Sequence, residues 1–370
     1  MEDTINEPQM SHEQHIETLL EFLTRPPEKP CKVAVLPDFF LDRLVDLPWT
    51  PAKFAAKMGD VAERKGGSLD GVPQVDMAGG NAVNVARALN SLGVEVTPIV
   101  CTSHFGLEQI KYVFRNRPLN YEHVKILGKA SVTTAMEFQE ENGKSNVMLR
   151  DLGALADFGP KDLSKSDYEV IEEADFVCLF NWVGTLHHGT ELAEAVFSTA
   201  KKSGKCKTYY DTADPTPNTC CIPELTRSVL GGGLVDILSL NENEAVTYAG
   251  HLISDFKVKN SQLPLAKRAL EAARVLSRRF DARIDLHTTE FAASINDGKE
   301  AKVASFKVQP LRATGAGDSW CAGNIYASHY DLPDECRLTF ANALAAYYLQ
   351  NKDGLHPTRT QLADFLQSNP

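Results

Sequence analysis

No stretch of the chain approaches the ~20 consecutive apolar residues that a membrane helix needs, and the polar, acidic N-terminus lacks the basic-then-apolar pattern of a secretory signal. A cytoplasmic location is therefore the expectation, with no membrane partner. Basic residues are in deficit: 38 Lys and Arg face 49 Asp and Glu, a net charge of −11. That balance argues against nucleic acid as the partner. The eight cysteines form no CxxC pair, and no His stands at zinc-finger spacing from one. Several sit in apolar runs, as free thiols acting as small hydrophobes do, which fits a reducing compartment. A GxxxxGK[ST] phosphate loop is missing. A dinucleotide fingerprint also fails, because Gly315-x-Gly317 is followed by Trp320 where the third glycine belongs. No internal repeat or low-complexity tract occurs. What is present is ordinary globular composition, 43 % apolar and 24 % charged, in a chain long enough to bury a substantial core.

The hydrophobic pattern divides the chain into a short extension and one large domain. Ser11-His12-Glu13-Gln14 reads as a capping box, and Ile16, Leu19, Leu20 and Leu23 follow at helical spacing until Pro26-Pro27. Residues 1–30 are thus expected to be an extension with one helix, lying on the surface. Strands are predicted at 32–36, 94–100, 176–180, 207–210, 235–240, 283–288 and 303–308. Helices are predicted at 81–92, 187–203 and 264–280. Asn142-Gly143 between two alternating runs signals a hairpin. Strands alternating with helices imply βαβ units and a mostly parallel sheet covered on both faces.

The densest chemical signal is Ala313-Thr314-Gly315-Ala316-Gly317-Asp318-Ser319. It lies where a strand-like run gives way to a buried helix. Glycines expose backbone N–H groups, and a helix N-terminus attracts an anion or a developing oxyanion. A carboxylate there would repel a simple anion. It makes sense as a base that takes the proton of a hydroxyl attacking phosphorus. Gly79, Gly80 and Asn81 open another helix. The glycines there allow close approach of a polyol, and Asn84 shares the face of Asn81 one turn on.

Three separated stretches together resemble the ribokinase-like (PfkB) carbohydrate and nucleoside kinases. They are Arg312-Ala-Thr-Gly-Ala-Gly-Asp318-Ser, Ala78-Gly-Gly-Asn-Ala-Val-Asn-Val-Ala86, and Asn241-Glu-Asn-Glu244 as an N-x-x-E motif. The likeness covers roughly residues 31–366. It implies an α/β fold: a Rossmann-like three-layer α/β/α domain over 31–370, carrying a small β-sheet lid built from about 38–76 and 129–152. It implies an ATP-dependent carbohydrate kinase, with Asp318 as base and Gly315, Ala316 and Gly317 as an anion hole. Asp42, Gly79, Gly80, Asn81 and Asn84 would bind the sugar or nucleoside acceptor. Asn241, Thr288, Thr289, Thr314 and Asn342 would lie on the nucleotide side, and Glu244 would hold Mg²⁺ through water. A homodimer through the lid is one arrangement this implies.

Several departures bear on these expectations. Pro37-Asp38 stands where the family has Gly-Ser, and Thr288-Thr289-Glu290 lacks the glycine of the family's Thr-x-Gly. Arg312-Ala313 replaces Asp-Thr, and a guanidinium cannot ligate the monovalent cation that this Asp binds in some members. The residues leave open a nucleoside or a sugar phosphate as acceptor, and ADP as donor. A non-catalytic sugar- or nucleotide-binding regulator is a further reading, opposed by Asp318 because binding alone needs no base. An NAD-dependent dehydrogenase ranks last for want of its fingerprint.

Overall fold

The computed structural model describes residues 11–117, 119–141, 143–311 and 314–369. Its strands, in chain order, are β1 (Lys32–Leu36), β2 (Phe40–Leu47), β3 (Gln74–Gly79), β4 (Glu95–Pro98), β5 (Cys101–Thr102), β6 (Lys125–Ile126), β7 (Ser131–Glu140), β8 (Gly143–Asp151), β9 (Phe176–Phe180), β10 (Lys207–Asp211), β11 (Ile237–Leu240), β12 (Arg283–His287), β13 (Phe291–Asn296) and β14 (Lys299–Ala304). Eight of them form one sheet in the order β14-β13-β12-β11-β10-β9-β1-β4. From β12 to β4 every pairing is parallel, and β13 and β14 close the other edge antiparallel.

Both faces of this sheet are covered, which is why its strands are runs of apolar residues rather than alternations. In β9, Phe176, Cys178 and Phe180 enter one core while Val177 and Leu179 enter the other. The first core is shared with the helices Asn81–Ser91, Ala316–His329, Asp334–Gln350 and Arg359–Ser368. The second is shared with Gly189–Ser203, Glu242–Leu252 and Leu265–Ser277. The protein is thus a three-layer α/β/α domain, as expected. Among the described residues no helix is long and apolar enough to cross a membrane.

Small residues let the helices of the first layer approach closely. A Cβ at Gly323 would stand 2.8 Å from the Cα of Ala341 in the neighbouring helix. The N-terminal helix His12–Thr24 is capped by Ser11, as its sequence signals. It is not merely laid on the surface, however. Ile16, Leu19 and Leu23 are buried in the first core, and the Arg359 guanidinium donates to the carbonyls of Phe22, Leu23 and Arg25 at the helix end.

The strand expected at 303–308 is displaced. β14 is Lys299–Ala304, and it pairs with β13 through Asp297-Gly298, both at positive φ. Asp-Gly with two left-handed residues makes a tight hairpin turn. The alternation beyond Ala304 reflects packing rather than pairing: Phe306 and Val308 are partly buried, and Phe306 meets the rings of His12 and Phe365.

A second, four-stranded sheet runs β3-β2-β7-β8. Its pairings put Asp42 opposite Thr133 and Thr133 opposite Arg150, so the three stand in one row across the sheet. Asn142 of the expected hairpin turn lies outside the described residues. So do Arg312 and Ala313, and with them the reading of a cation site at Arg312.

One buried charge network ties the layers together. Asp285 in β12 is fully buried and is bonded by Arg283, Arg337, Asn324 and Ser294. Burial pushes its carboxyl up, but Arg283 and Arg337 outweigh this and hold it at about 2. Arg337, itself 1 % exposed, also reaches Ser294 of β13 and Asp334. Truncating one partner of such a pair strands the other charge. Arg337→Ala should therefore destabilise the fold by about 3–5 kcal/mol, read by urea unfolding at neutral pH. Because the folded-state pKa of Asp285 lies below its ordinary value, this stabilisation is present above that value and is lost as pH falls toward 2. A loss below about 1 kcal/mol would mean that water or neighbouring groups compensate the network.

Candidate active site

The C-terminal ends of the parallel strands gather acidic groups. Asp38 follows β1, Asp211 ends β10, Glu244 opens the helix after β11, and Asp318 sits in the first turn of Ala316–His329. All four are buried. None has an ion-pair partner among the described residues, in contrast to Asp285.

Asp38 explains how the Gly-Gly-Asn turn is held. The helix Asn81–Ser91 starts from Gly80, which offers no side-chain cap. Asp38 caps it from outside: its Oδ2 accepts the N–H of Asn81 at 2.9 Å and its Oδ1 that of Ala82 at 2.8 Å. Asn181 donates to the same Oδ2 at 2.9 Å. Gly80 has φ +94, and a Cβ there would lie 2.8 Å from the Cα of Phe39. Only glycine fits a turn pressed against the end of β1 in this way.

The capped turn presents Asn81 and Asn84 to Asp318. Asn81 Nδ2 donates to Asp318 Oδ1 at 2.9 Å, and Asn84 Nδ2 donates to Oδ2 at 2.8 Å. The two signature stretches therefore meet through three side chains more than 230 residues apart in sequence. Burial pushes the Asp318 carboxyl up to about 7, helped by the charges of Asp211 and Asp38 and opposed by the two amide bonds. Gly315 precedes the helix at φ +86, and a Cβ there would strike the Tyr348 hydroxyl at 2.6 Å. The first-turn N–H groups at Ala316, Gly317 and Asp318 have no carbonyl within the helix to bond, as at every helix start. Thr314 is exposed beside them.

Asp42 sits on the second sheet, directly over Gly79. A Cβ at Gly79 would stand 1.8 Å from Asp42 Oδ2, so glycine is required there. Burial raises its carboxyl to about 6, with Asp38 adding to the rise and Thr133 and Arg150 opposing it. Its Oδ1 is buried with no hydrogen-bond partner among the described residues. A buried carboxylate oxygen left without a donor is costly unless a ligand supplies one.

On the other side of Asp318 stand the N-x-x-E residues. Asn241 caps the helix Glu242–Leu252, accepting the N–H groups of Asn243 and Glu244, while Glu244 returns bonds to the backbone and side-chain amide of Asn241. Burial, then the charge of Asp211, raises the Glu244 carboxyl well above its ordinary value. Thr289 donates its N–H to Glu242 at 2.8 Å, and Thr288 organises the β12–β13 turn by bonding Glu290 and Phe291. These residues line the same strand ends. Asn342 is placed differently: its Oδ1 accepts the Trp320 indole N–H and its Nδ2 donates to the Ala304 carbonyl. Both ends of its amide are engaged inside the fold, where it locks two helices to the sheet edge.

Sequence reading missed His287 and Asp211 and undervalued Asp38. His287 ends β12 against Gly317, and its ring lies 4.9 Å from that of Trp320. Burial lowers its pKa to about 4, which keeps the imidazole neutral. Asp38 was visible as the residue in place of a family serine. Asp211 had the signal of any acid at the end of a buried strand.

Residues 54–361 match the family model described as pfkB family carbohydrate kinase. The chain is similar to the ribokinase of Haemophilus influenzae strain Rd, at 24 % identity over 296 residues, spanning 78 % of this chain and 87 % of that protein. Its fold is similar to that of Arabidopsis thaliana ribokinase, solved with ribose and ATP, with a TM-score of 0.70 and 20 % identity over 91 % of this chain and 99 % of the other. It is also similar to ribokinase from Cryptococcus neoformans var. grubii serotype A, solved with ADP, with a TM-score of 0.68 and 15 % identity over 91 % and 99 % of the two chains. At such identity the solved structures speak for the fold alone. The family match spans most of the sequence, and it places this chain among the pfkB family carbohydrate kinases.

Proposed function

We propose that the protein transfers the γ-phosphate of ATP to a hydroxyl, foremost a hydroxymethyl, of a sugar or sugar derivative, with Asp318 as general base. The observation that carries this reading is the placement of Asp318. It is a buried carboxylate at the start of a helix, beside first-turn N–H groups and hydrogen-bonded by Asn81 and Asn84 of the Asn81–Ser91 helix. The acceptor lies between the second sheet and the strand ends, where Asp42 Oδ1 takes a hydroxyl proton in hydrogen bonding. One acceptor hydroxyl approaches Asp318 and gives up its proton as its oxygen bonds to phosphorus. The N–H groups of Gly315, Ala316 and Gly317 at the helix start stabilise charge on the transferring phosphoryl oxygens. The second sheet acts as a lid that excludes water.

The nucleotide phosphates lie over the strand ends near Asn241, Glu244 and Thr289. Asp211 and Glu244 are buried carboxylates with raised pKa and no cation partner among the described residues. That donor set fits Mg²⁺, which takes oxygen ligands and retains waters. When bound, Mg²⁺ neutralises phosphate charge during transfer.

Three outcomes test the reading. Asp318→Asn keeps the shape and removes the base, so kcat with a competent acceptor should fall by ~10²-fold or more, while nucleotide binding stays within a factor of about three. Retention of more than about a tenth of the wild-type kcat in that variant would exclude Asp318 as the base.

The pH profile is the second test. The base works only when ionised, so kcat/KM of the wild type should rise with pH through a limb near 7. The same raised value means that folding stability contributed at Asp318 falls as pH rises through that range, because only the folded state still holds the proton. A flat profile between pH 5.5 and 8.5 would remove Asp318 from proton transfer.

Third, Asp42→Ala should raise the acceptor KM by about 5- to 150-fold, the equivalent of about 1–3 kcal/mol, with little change in the nucleotide KM. Equal losses for acceptor and nucleotide would contradict the placement of the acceptor beside β2.

A further inference from the structure

Beside the proposed phosphate site lies a set of side chains that oxygen chemistry does not account for. Cys321, one turn beyond Asp318, is fully buried, and its S–H donates to Asp211 Oδ2 at 3.3 Å. His287 brings an imidazole from the end of β12. A ligand atom of each of the three residues lies within 4.8 Å of the others. The Nε2 of His287 is buried and has no hydrogen-bond partner among the described residues. Ser239 Oγ lies 3.5 Å from the Cys321 sulfur, from the strand between those of Asp211 and His287.

We propose that Asp211, His287 and Cys321 form a binding site for a thiophilic divalent cation, Zn²⁺ foremost. Thiolate, imidazole and carboxylate form a Zn²⁺ donor set, whereas Mg²⁺ takes oxygen alone. Zn–S of about 2.3 Å and Zn–O of about 2.0–2.2 Å in a tetrahedron set sulfur and oxygen roughly 3.5 Å apart. The Asp211–Cys321 pair already stands at nearly that separation, and the His287 ring, within 4.8 Å of both, must turn toward them to supply the third edge. Binding replaces the thiol proton, which passes to solvent, and leaves the fourth coordination position for water. Ser239 donates a hydrogen bond to the resulting thiolate. A dication here also answers the surplus of buried carboxylates. Because Asp211 borders the proposed nucleotide phosphates, the bound ion and Mg-nucleotide exclude each other; this consequence rests on the reading above, while the metal site itself does not.

The test uses the full-length protein without nucleotide. Calorimetry with Zn²⁺ should show one site per chain. Co²⁺ in its place should give tetrahedral visible bands and a near-ultraviolet thiolate-to-metal band. Cys321→Ser should lose that band, and both it and His287→Gln should weaken Zn²⁺ binding at least tenfold, since even outer-shell changes at metal sites cost about 10–100-fold. His287 is partly exposed, so its variant keeps the test valid should the buried cysteine variant fail to fold. Cys31→Ser, which removes the sulfur of a second Asp–His–Cys cluster with Asp175 and His329, and the double variant Cys220→Ser/Cys221→Ser of the adjacent, more accessible thiols, should keep both the band and the affinity. Unchanged Zn²⁺ affinity in His287→Gln, or loss of the band in Cys31→Ser or in the double variant, would overturn the assignment. ATP with Mg²⁺ should raise the Zn²⁺ midpoint in proportion to nucleotide concentration. Absence of competition alongside an intact Co²⁺ spectrum would overturn the shared position, and it would leave phosphate transfer to be judged by the Asp318 variant.

Discussion

The site depends on a cluster of buried carboxylates that has no ion-pair partner among the described residues. Asp38, Asp211, Glu244 and Asp318 crowd the ends of the parallel strands; beyond burial, Asp38 raises the proton affinity of Asp211 and Asp318, and Asp211 that of Glu244 and Asp318. Hydrogen bonds from amides hold them instead of ion pairs: backbone N–H groups for Asp38, Asp211 and Glu244, and asparagine side chains for Asp38 and Asp318. Amide donors fix a carboxylate in place without cancelling its charge. A lysine or arginine would have stabilised the fold more directly, but on the proposed reading it would have occupied the position of a cation or a proton in transit. Asp285 shows the other solution in the same sheet. Its two arginines pull its pKa down, and it serves the layers rather than the chemistry.

The second sheet meets this cluster at one point, and backbone sterics decide how closely. Gly79 and Gly80 carry no side chain because Asp42 and the end of β1 fill the space that a Cβ would need. That closeness brings Asp42 within the field of Asp38, which adds to the rise in its pKa. The same two glycines thus set the distance between the sheets and the ionisation of the carboxylate between them. Thr133 and Arg150, its row neighbours on β7 and β8, offset part of that rise.

Sequence patterns carry different parts of this with different fidelity. The parallel strands were legible because burial on both faces forces unbroken apolar runs such as Phe176–Phe180. The Ser11 cap was legible because a cap and its reciprocal partner are three residues apart; Asn241 and Glu244 stand at the same spacing but were read as a site motif. The Asp297-Gly298 turn was equally local and was passed over, so β13 went unread and β14 was shifted. The helix Pro51–Glu63 buries no residue and opens on a proline, which stands as readily at a break as at a first helical position, so it went unread. In the site, Asp318, Asn81 and Asn84 were legible as motifs, yet their contact was not, since it joins segments far apart in the chain. Asp38 and His287 depend wholly on such long-range contacts, which one sequence does not encode in any local pattern.

The contact between Asp318 and the two asparagines has a further implication for how a proposed base of this kind operates. Both of its oxygens are already hydrogen-bonded in the absence of ligand. An acceptor hydroxyl that donates to Asp318 must either share an oxygen, which has a second lone pair, or displace one amide. Sharing costs little and keeps the carboxylate oriented. Displacement frees an asparagine to bind the acceptor itself, and it removes one of the bonds that hold the Asp318 pKa down. Displacement therefore makes the carboxylate a stronger base at the moment the hydroxyl arrives, while burial and the neighbouring acids already favour the protonated form. Asn81 has its backbone N–H anchored to Asp38, whereas Asn84 lies a turn further along the helix. The helix start is thus fixed by Asp38, and on the proposed reading acceptor contact and strength of the base would be coupled through the same two side chains.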